Sequence, residues 1–528
     1  MGSDVTRKIK QITRLLQQGD LASAAAKIST LKISHADVGD VWALDSEIAL
    51  REHRMADALA AVNRAVELEP DIPDRHIQRA RSCILAGLTD DARESAHQAL
   101  EFEVSRLDHL LVLGGVLVRC DEHEEALNLY LKSQTVSSDN VDVYRGLASV
   151  YRFLGRQREA ENAANLAIRL DQHDYEMIGL RSSLRVQTSD DNHIEDLERL
   201  KKTGVKNWRG AVHVDYALAK EYEDLGEFEK SFTLLESGAR TKRKFTKYDL
   251  ADDLKIFHAL KTAFSQEAVA NVGNIGHQSC DPIFILGMPR TGSTLVERII
   301  SSHSQVQSLG EVSSFSIEMM KLVEEQSDGM LIDRLALARL AVGLPMKALG
   351  RRYLAAVDPI RDGCTRFVDK LPLNSLNIGL ISGALPNAKI IHVVRNPLDA
   401  CYAMYKYLFK NGYPFSYEQI ELAAYYAEYH HLMQHWREIL PEGRIYDVHY
   451  EDIVDDLAGQ ARKLIDHLGL SWEDSCEEFH TNRKATTTGS ASQVRKPVYG
   501  SSVGKWRKFE RQLSPMRQFL QDADVPIN

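Results

Sequence analysis

The sequence predicts two architectures in one chain: an all-helical superhelix of repeats, followed by an α/β domain built on a parallel sheet of P-loop-like character. Three observations carry this. Small residues recur in a 34-residue frame between positions 39 and 174. A short apolar run, Ile283 to Leu286, stops at Gly287 and turns through Gly292 into a helical pattern. Two later strand-like runs, Phe367-Val368 and Lys389 to Val394, each lead into a cation, Lys370 and Arg395.

The helical part comes first. Counted from position 39, the eighth, twentieth and twenty-seventh places of each unit are small. They are Ser46, Ala58 and Ala65, then Ala80, Ala92 and Ala99, then Gly114, Ala126 and Ser133, then Ala148, Ala160 and Ala167. Small side chains at fixed places let two helices cross closely. Trp42, Pro70, Tyr130, Tyr144, Leu147, Tyr151 and Gly155 keep the same register, and the frame extends backward to Gly19 and Ala24. After an interrupted stretch at 175–211 it re-phases near 212, with Leu218, Ala219, Tyr222 and Gly226. These positions resemble the tetratricopeptide repeat, a helix-turn-helix unit of the same length. The resemblance implies a stacked superhelix whose concave face holds a peptide or protein segment, with a spacer or dimerisation arm as the other use of such an array. We expect the array to occupy 1–245, a helix and polar linker 246–280, and the α/β domain 281–528.

Composition limits the rest. The chain has 528 residues, long enough for two or more cores, and its 44% hydrophobic and 27% charged content is that of a soluble globular protein. A formal charge of −10 argues against general nucleic-acid binding. No apolar run is long enough for a membrane span, and the first residues lack the apolar stretch of a signal peptide. Cys83, Cys120, Cys280, Cys364, Cys401 and Cys476 show no paired spacing, which suits reduced thiols and a cytoplasmic location.

The α/β domain opens with DPIFILGMPRTGST, residues 281–294. Strand, glycine-bearing turn and helix bring backbone N–H groups and the positive helix end to one point, which suits an anion. Gly287 and Gly292 have the spacing of the phosphate loop G-x-x-x-x-G-K-[ST], yet Ser293 stands where that loop has Lys. The charge comes instead from Arg290 inside the loop. Loss of that Lys argues against a nucleoside triphosphatase or a P-loop kinase, whose magnesium site rests on it. Arg offers a planar fork for an oxyanion.

The helix continues to about Ser302, and Glu311 follows on a return loop. Next to a bound anion a carboxylate makes a poor ligand and a suitable general base for an acceptor hydroxyl; taken alone, Glu311 also reads as a cap on the next helix. Phe367-Val368 leads to Asp369-Lys370, a helix runs from Asn374 to Ser382, and the strand Lys389 to Val394 delivers Arg395 before Asn396-Pro397 opens another helix. A strand over Ile445 to Val448 precedes Tyr450-Glu451-Asp452 and a helix to about Leu468. Arg290, Lys370 and Arg395 at strand ends predict a polyanionic ligand. The polar, basic tail from Ala485 to Trp506 suits a lid over that ligand.

Together, PRTGST at 289–294 with Glu311 behind it, DKLP at 369–372, VVRNPLD at 393–399, YED at 450–452 and QVRKP…GKW at 493–506 resemble the sulfotransferase superfamily. The likeness is to the branch in which tetratricopeptide repeats precede the transferase domain, with catalytic motifs like those of protein-tyrosine sulfotransferases. It implies 3′-phosphoadenylyl sulfate as donor, adenosine 3′,5′-bisphosphate as product, and no metal. Arg290, Thr291, Gly292, Ser293 and Thr294 would hold the 5′-phosphosulfate and Arg395 the 3′-phosphate. Glu311 would be the base, and Lys370 and Ser490, with Arg290, would steady charge on the transferring group. Tyr450 and the segment Ser490 to Lys505, including Gln493, Val494, Lys496 and Lys505, would line the nucleotide site. The family's Ser eight residues after the 3′-phosphate Arg is here Ala403, which removes one phosphate hydrogen bond. That departure keeps a second class open, a repeat scaffold fused to a degenerate transferase domain. The acceptor implied is a hydroxyl, with a tyrosine or other hydroxyl of a held peptide first and a carbohydrate or small molecule second.

Overall fold

A computed structural model describes residues 3–267, 275–327, 332–410, 412–482 and 497–527. The chain divides into two compact units, the first reaching Met177 and the second beginning at Ile178.

The first unit is built of antiparallel helix pairs. Gly39–Arg51 pairs with Met55–Leu68, Pro73–Leu85 with Thr89–Leu100, Leu107–Arg119 with His123–Val136, and Val141–Phe153 with Gln157–Leu170. The small residues of the frame sit at these crossings. Ala58, Ala65, Ala80, Ala92, Ala99, Ala126, Ala148, Ala160 and Ala167 are all 0% exposed. The Ser46 hydroxyl donates across its pair to the Ala58 carbonyl at 2.9 Å. At Gly114 a Cβ would stand 2.9 Å from the Tyr130 ring, so only glycine admits that ring. The turns keep the same period: the chain takes left-handed φ at Gly19, His53, Gly87, Asp121 and Gly155.

The second unit carries a five-stranded, all-parallel sheet of order β2-β3-β1-β4-β5. The strands are β1 (Pro282–Gly287), β2 (Val306–Ser308), β3 (Arg366–Lys370), β4 (Lys389–Val394) and β5 (Ile445–His449). β1 is central and buried at every position, as expected for a strand covered on both faces. Phe284, Leu286 and Ile390 pack into one core and Ile283, Ile285, Ile391 and Val393 into the other, the alternation a strand imposes. From β1 the chain runs out to β2 and back to β3 on one side, then crosses to β4 on the other, so a crevice opens at the C-terminal end of β1.

Packing and helical pattern mark different boundaries. The pattern places the end of the repeats near 245. The contacts place helices Trp208–Asp224, Phe228–Lys244 and Leu250–Ala263 in the second unit. The reason lies in their side chains: Tyr216, Phe232, Phe257 and Leu260 are large and join the core that covers Phe284 and Leu286. The stretch expected to be interrupted, 175–211, holds short helices Tyr175–Ser183 and Ile194–Thr203. The helix expected after Tyr450-Glu451-Asp452 and reaching about Leu468 is instead two, Tyr450–Asp455 and Leu457–His467, because Asp456 leaves helical geometry and its carboxylate caps the second through Gly459 N–H. Among the described residues, no helix is long and apolar enough to cross a membrane.

Candidate functional site

The site begins where β1 ends. Gly287 has φ +147, and a Cβ there would lie 2.6 Å from the Val393 carbonyl of β4. Arg290 (φ +68) and Gly292 (φ +102) are left-handed too, so three of six consecutive residues take conformations that fold the loop back over the strand end. The Thr291 hydroxyl donates to the Met288 carbonyl at 2.7 Å and tightens the turn. The Ser293–Ser301 helix follows with no side chain capping its N-terminus, and Ser293 and Thr294 are buried in its first turn. A helix start of this kind, against left-handed loop backbone, is a cradle for an anion.

Arg395, at the end of β4, meets the loop from the side. It is 8% exposed. Its Nη1 donates to the Arg290 carbonyl at 2.8 Å and its Nη2 to the Ser502 carbonyl at 2.6 Å. Its guanidinium lies over the Tyr450 ring, 4.8 Å from the centroid. Its third nitrogen, Nε, is buried and has no hydrogen-bond partner among the described residues. A buried N–H left unmatched is costly, and a phosphate oxygen would match it. Tyr450 also presses on the loop, since a Cβ on Gly292 would stand 2.5 Å from its ring. Its hydroxyl shares a 2.6 Å hydrogen bond with Ser502 Oγ. The Arg290 guanidinium lies over Tyr407 at 4.7 Å. Burial, and with it the like charge of Arg395, lowers the Arg290 pKa.

Lys370, at the end of β3, has another kind of surroundings. It is 1% exposed, its ammonium pairs with Glu311, and Glu297 stands 3.7 Å away. Glu297 in turn accepts from Ser308 Oγ of β2 at 2.5 Å. Glu311 itself is half exposed, so it faces both Lys370 and solvent. Tyr413 lies near enough that the Glu311 charge adds to burial in raising its phenol. Beneath Lys370, burial pushes the Asp369 carboxyl up to about 7, although Tyr353 and Asn374 hydrogen-bond it at 2.9 and 3.2 Å.

The expected residues therefore fall into two groups. Arg290, Thr291, Gly292, Ser293, Thr294, Arg395 and Tyr450 assemble around the loop, while Lys370 and Glu311 form an ion pair at the end of β3. Lys505 joins neither: its ammonium pairs with Glu223. Ser490, Gln493, Val494 and Lys496 lie outside the described residues. Ala403 sits half-buried on the Pro397–Tyr405 helix, which Asn396 caps through the N–H groups of Leu398 and Asp399. Sequence reasoning missed Glu297 and Tyr407, and it reached Ser502 only as part of the tail segment expected to line the nucleotide site. Glu297 had a signal, a lone acid among apolar residues in the first turns of the loop helix; Tyr407 had none.

A family model described as the sulfotransferase family matches residues 282–474, and a tetratricopeptide-repeat model matches 141–174. An uncharacterized protein of Aquifex aeolicus is 27% identical over 439 residues, 82% of this chain and 57% of that protein. An omega-hydroxy-beta-dihydromenaquinone-9 sulfotransferase of Mycobacterium bovis is 31% identical over 108 residues, 19% of this chain and 28% of that protein. The protein-tyrosine sulfotransferase of Drosophila melanogaster is 23% identical over 246 residues, 42% of this chain and 46% of that protein. The chain thus spans between 28% and 57% of the length of these relatives. It carries a sulfotransferase-family domain preceded by tetratricopeptide-repeat sequence.

Proposed function

We propose that this chain is a sulfotransferase that moves a sulfuryl group from 3′-phosphoadenylyl sulfate to an acceptor hydroxyl. The observation that carries the reading is the unmatched Nε of buried Arg395 beside a glycine-lined loop. A donor with phosphates at both ends of its ribose supplies oxygens for the helix start and for Arg395. Glu311 takes the acceptor proton while the acceptor oxygen bonds to sulfur and the bond from sulfur to its bridging oxygen breaks. Arg290, the loop N–H groups and Lys370 stabilise the charge that builds on the transferring and bridging oxygens, and adenosine 3′,5′-bisphosphate leaves. Every catalytic part is a proton acceptor or a fixed positive charge, so we expect turnover without added metal.

The first acceptor class we propose is a peptide or protein hydroxyl, presented by the repeat array. The motif likeness to tyrosine-sulfating enzymes supports it. A small-molecule alcohol is the second, supported by the mycobacterial relative, whose name carries an omega-hydroxy acceptor. Calorimetry with adenosine 3′,5′-bisphosphate tests the donor site. We expect micromolar or tighter binding without magnesium by the wild type and its loss in Arg395→Ala. Absence of binding by the wild type would favour the scaffold reading, with Ala403 marking a degenerate site.

A further inference from the structure

We propose that Glu223 is a positioning residue for the donor site: its carboxylate, carried on the Trp208–Asp224 helix, holds Lys406 and Lys505 and so seats the segment 500–509 against Arg395. This rests on the reading of the Arg395 end as the donor site. Nothing in the transferase motifs points to Glu223, which lies in the stretch whose sequence continues the repeat pattern.

The contacts are dense. Glu223 is 8% exposed on its side chain. It accepts from the Tyr402 hydroxyl at 2.8 Å and from the Lys406 ammonium at 2.7 and 3.0 Å, and it pairs with Lys505. Tyr402 and Lys406 lie at the end of the helix that Arg395 and Asn396 begin. Lys505 belongs to the tail segment. One carboxylate therefore ties three elements together.

The tail segment is pinned at alternate residues. The Ser502 carbonyl accepts from Arg395 and its hydroxyl bonds Tyr450, both at 2.6 Å. The N–H groups of Gly504 and Trp506 donate to Asp399 at 2.6 and 3.0 Å. Lys505, between them, is the residue left to fix the segment from the other side, and Glu223 fixes it. Phe509 closes the segment with its ring 4.7 Å from Tyr402, 5.4 Å from Phe228 and 5.8 Å from Phe232. Since the Ser502 carbonyl is one of two that orient the Arg395 fork among the described residues, a slack tail means a misaimed guanidinium.

The electrostatics agree with a positioning role. One carboxylate faces two ammonium groups and so fixes the direction of both. Burial works against the Glu223 charge, but the two lysines overcome it and hold the carboxyl at about 2. Burial brings Lys406 down to about 8 against the pull of Glu223. Apolar side chains would fill this volume without cost of desolvation; what the charges add is direction.

The test is calorimetric binding of adenosine 3′,5′-bisphosphate to the full chain, with a melting temperature for each variant. Glu223→Gln should weaken binding at least about ten-fold and lower the melting temperature. Glu223→Asp, which keeps the charge but falls one methylene short, should recover part of the affinity. The double variant Glu223→Gln/Lys406→Met removes the repulsion between two lysines and should recover the melting temperature without the affinity. The proposal falls if Glu223→Gln binds as tightly as wild type or tighter, the latter meaning that Glu223 competes with the donor for Lys505. It also falls if the double variant recovers affinity together with stability, which would make Glu223 a packing residue. No binding by the wild type removes the donor reading itself and this inference with it.

Discussion

Arg395 and Lys370 are two buried cations at the ends of two parallel strands, and they are treated in opposite ways. Among the described residues Arg395 is met by two carbonyl oxygens and an aromatic face, with its Nε unmatched. Lys370 is met by two carboxylates. Neutral partners leave the charge of Arg395 uncompensated, which in a buried setting is costly unless an anion arrives. Carboxylate partners neutralise Lys370 and leave it aligned. On the proposed function the difference separates binding from chemistry: one cation is held open for the donor, the other is held still beside the proposed base, Glu311.

The sharpest way to test that division is at Glu311. Glu311→Gln should lower the transfer rate by about 10²–10⁴-fold, read with labelled donor, while calorimetric binding of adenosine 3′,5′-bisphosphate stays near wild type. Equal losses in both would merge the two ends into one. Next in size is Lys370→Met. It leaves the buried Glu297 carboxylate without its cation and should cost about 3 kcal/mol in urea unfolding, with half-exposed Glu311 adding little. Arg395→Lys keeps a charge but loses the fork that spans the Arg290 and Ser502 carbonyls. We expect about ten-fold weaker binding of the bisphosphate, against near-complete loss in Arg395→Ala.

The last test is a pH slope. Burial raises the folded Asp369 carboxyl to about 7, above its ordinary value near 3.8. The folded chain therefore holds a proton that the unfolded chain has released between those values. Stability from this group is full below the lower value and falls as pH rises to about 7, levelling above it. Melting temperatures across pH 5–8 should show the decline, and Asp369→Asn should flatten it.

What the sequence made legible was set by how local each feature is. The loop was readable because an apolar strand, two glycines and a helix follow one another without a gap, and the strand-end cations because a run of apolar residues ends at each. β2 was missed because three residues, Val306–Ser308, carry no period. Tyr450 was placed at the nucleotide by resemblance; that its ring lies against Gly292 is a contact between distant segments that no spacing announces. The re-phased helices near 212 illustrate the limit best. Their small residues and turn glycine continue the repeat pattern, while Tyr216, Phe232 and Phe257 commit them to the sheet. Period reports how a helix pair closes on itself, and side-chain size reports what else it must cover.

The strand order has a consequence for how the chain is made. β1 lies at the centre of the sheet, yet it is the first strand to be synthesised, and both strands that flank it come much later. Until then PIFILG is an apolar segment with two bare edges, the kind that self-associates. The loop backbone proposed to bind the anion packs at Gly287 against the Val393 carbonyl, so a partial product ending before β4 lacks one wall of that loop. A nascent chain therefore passes through a long interval in which its repeats can fold and its transferase core cannot. Its yield on expression should depend on holdase chaperones and on translation speed between residues 282 and 394 more than on the stability of the finished protein.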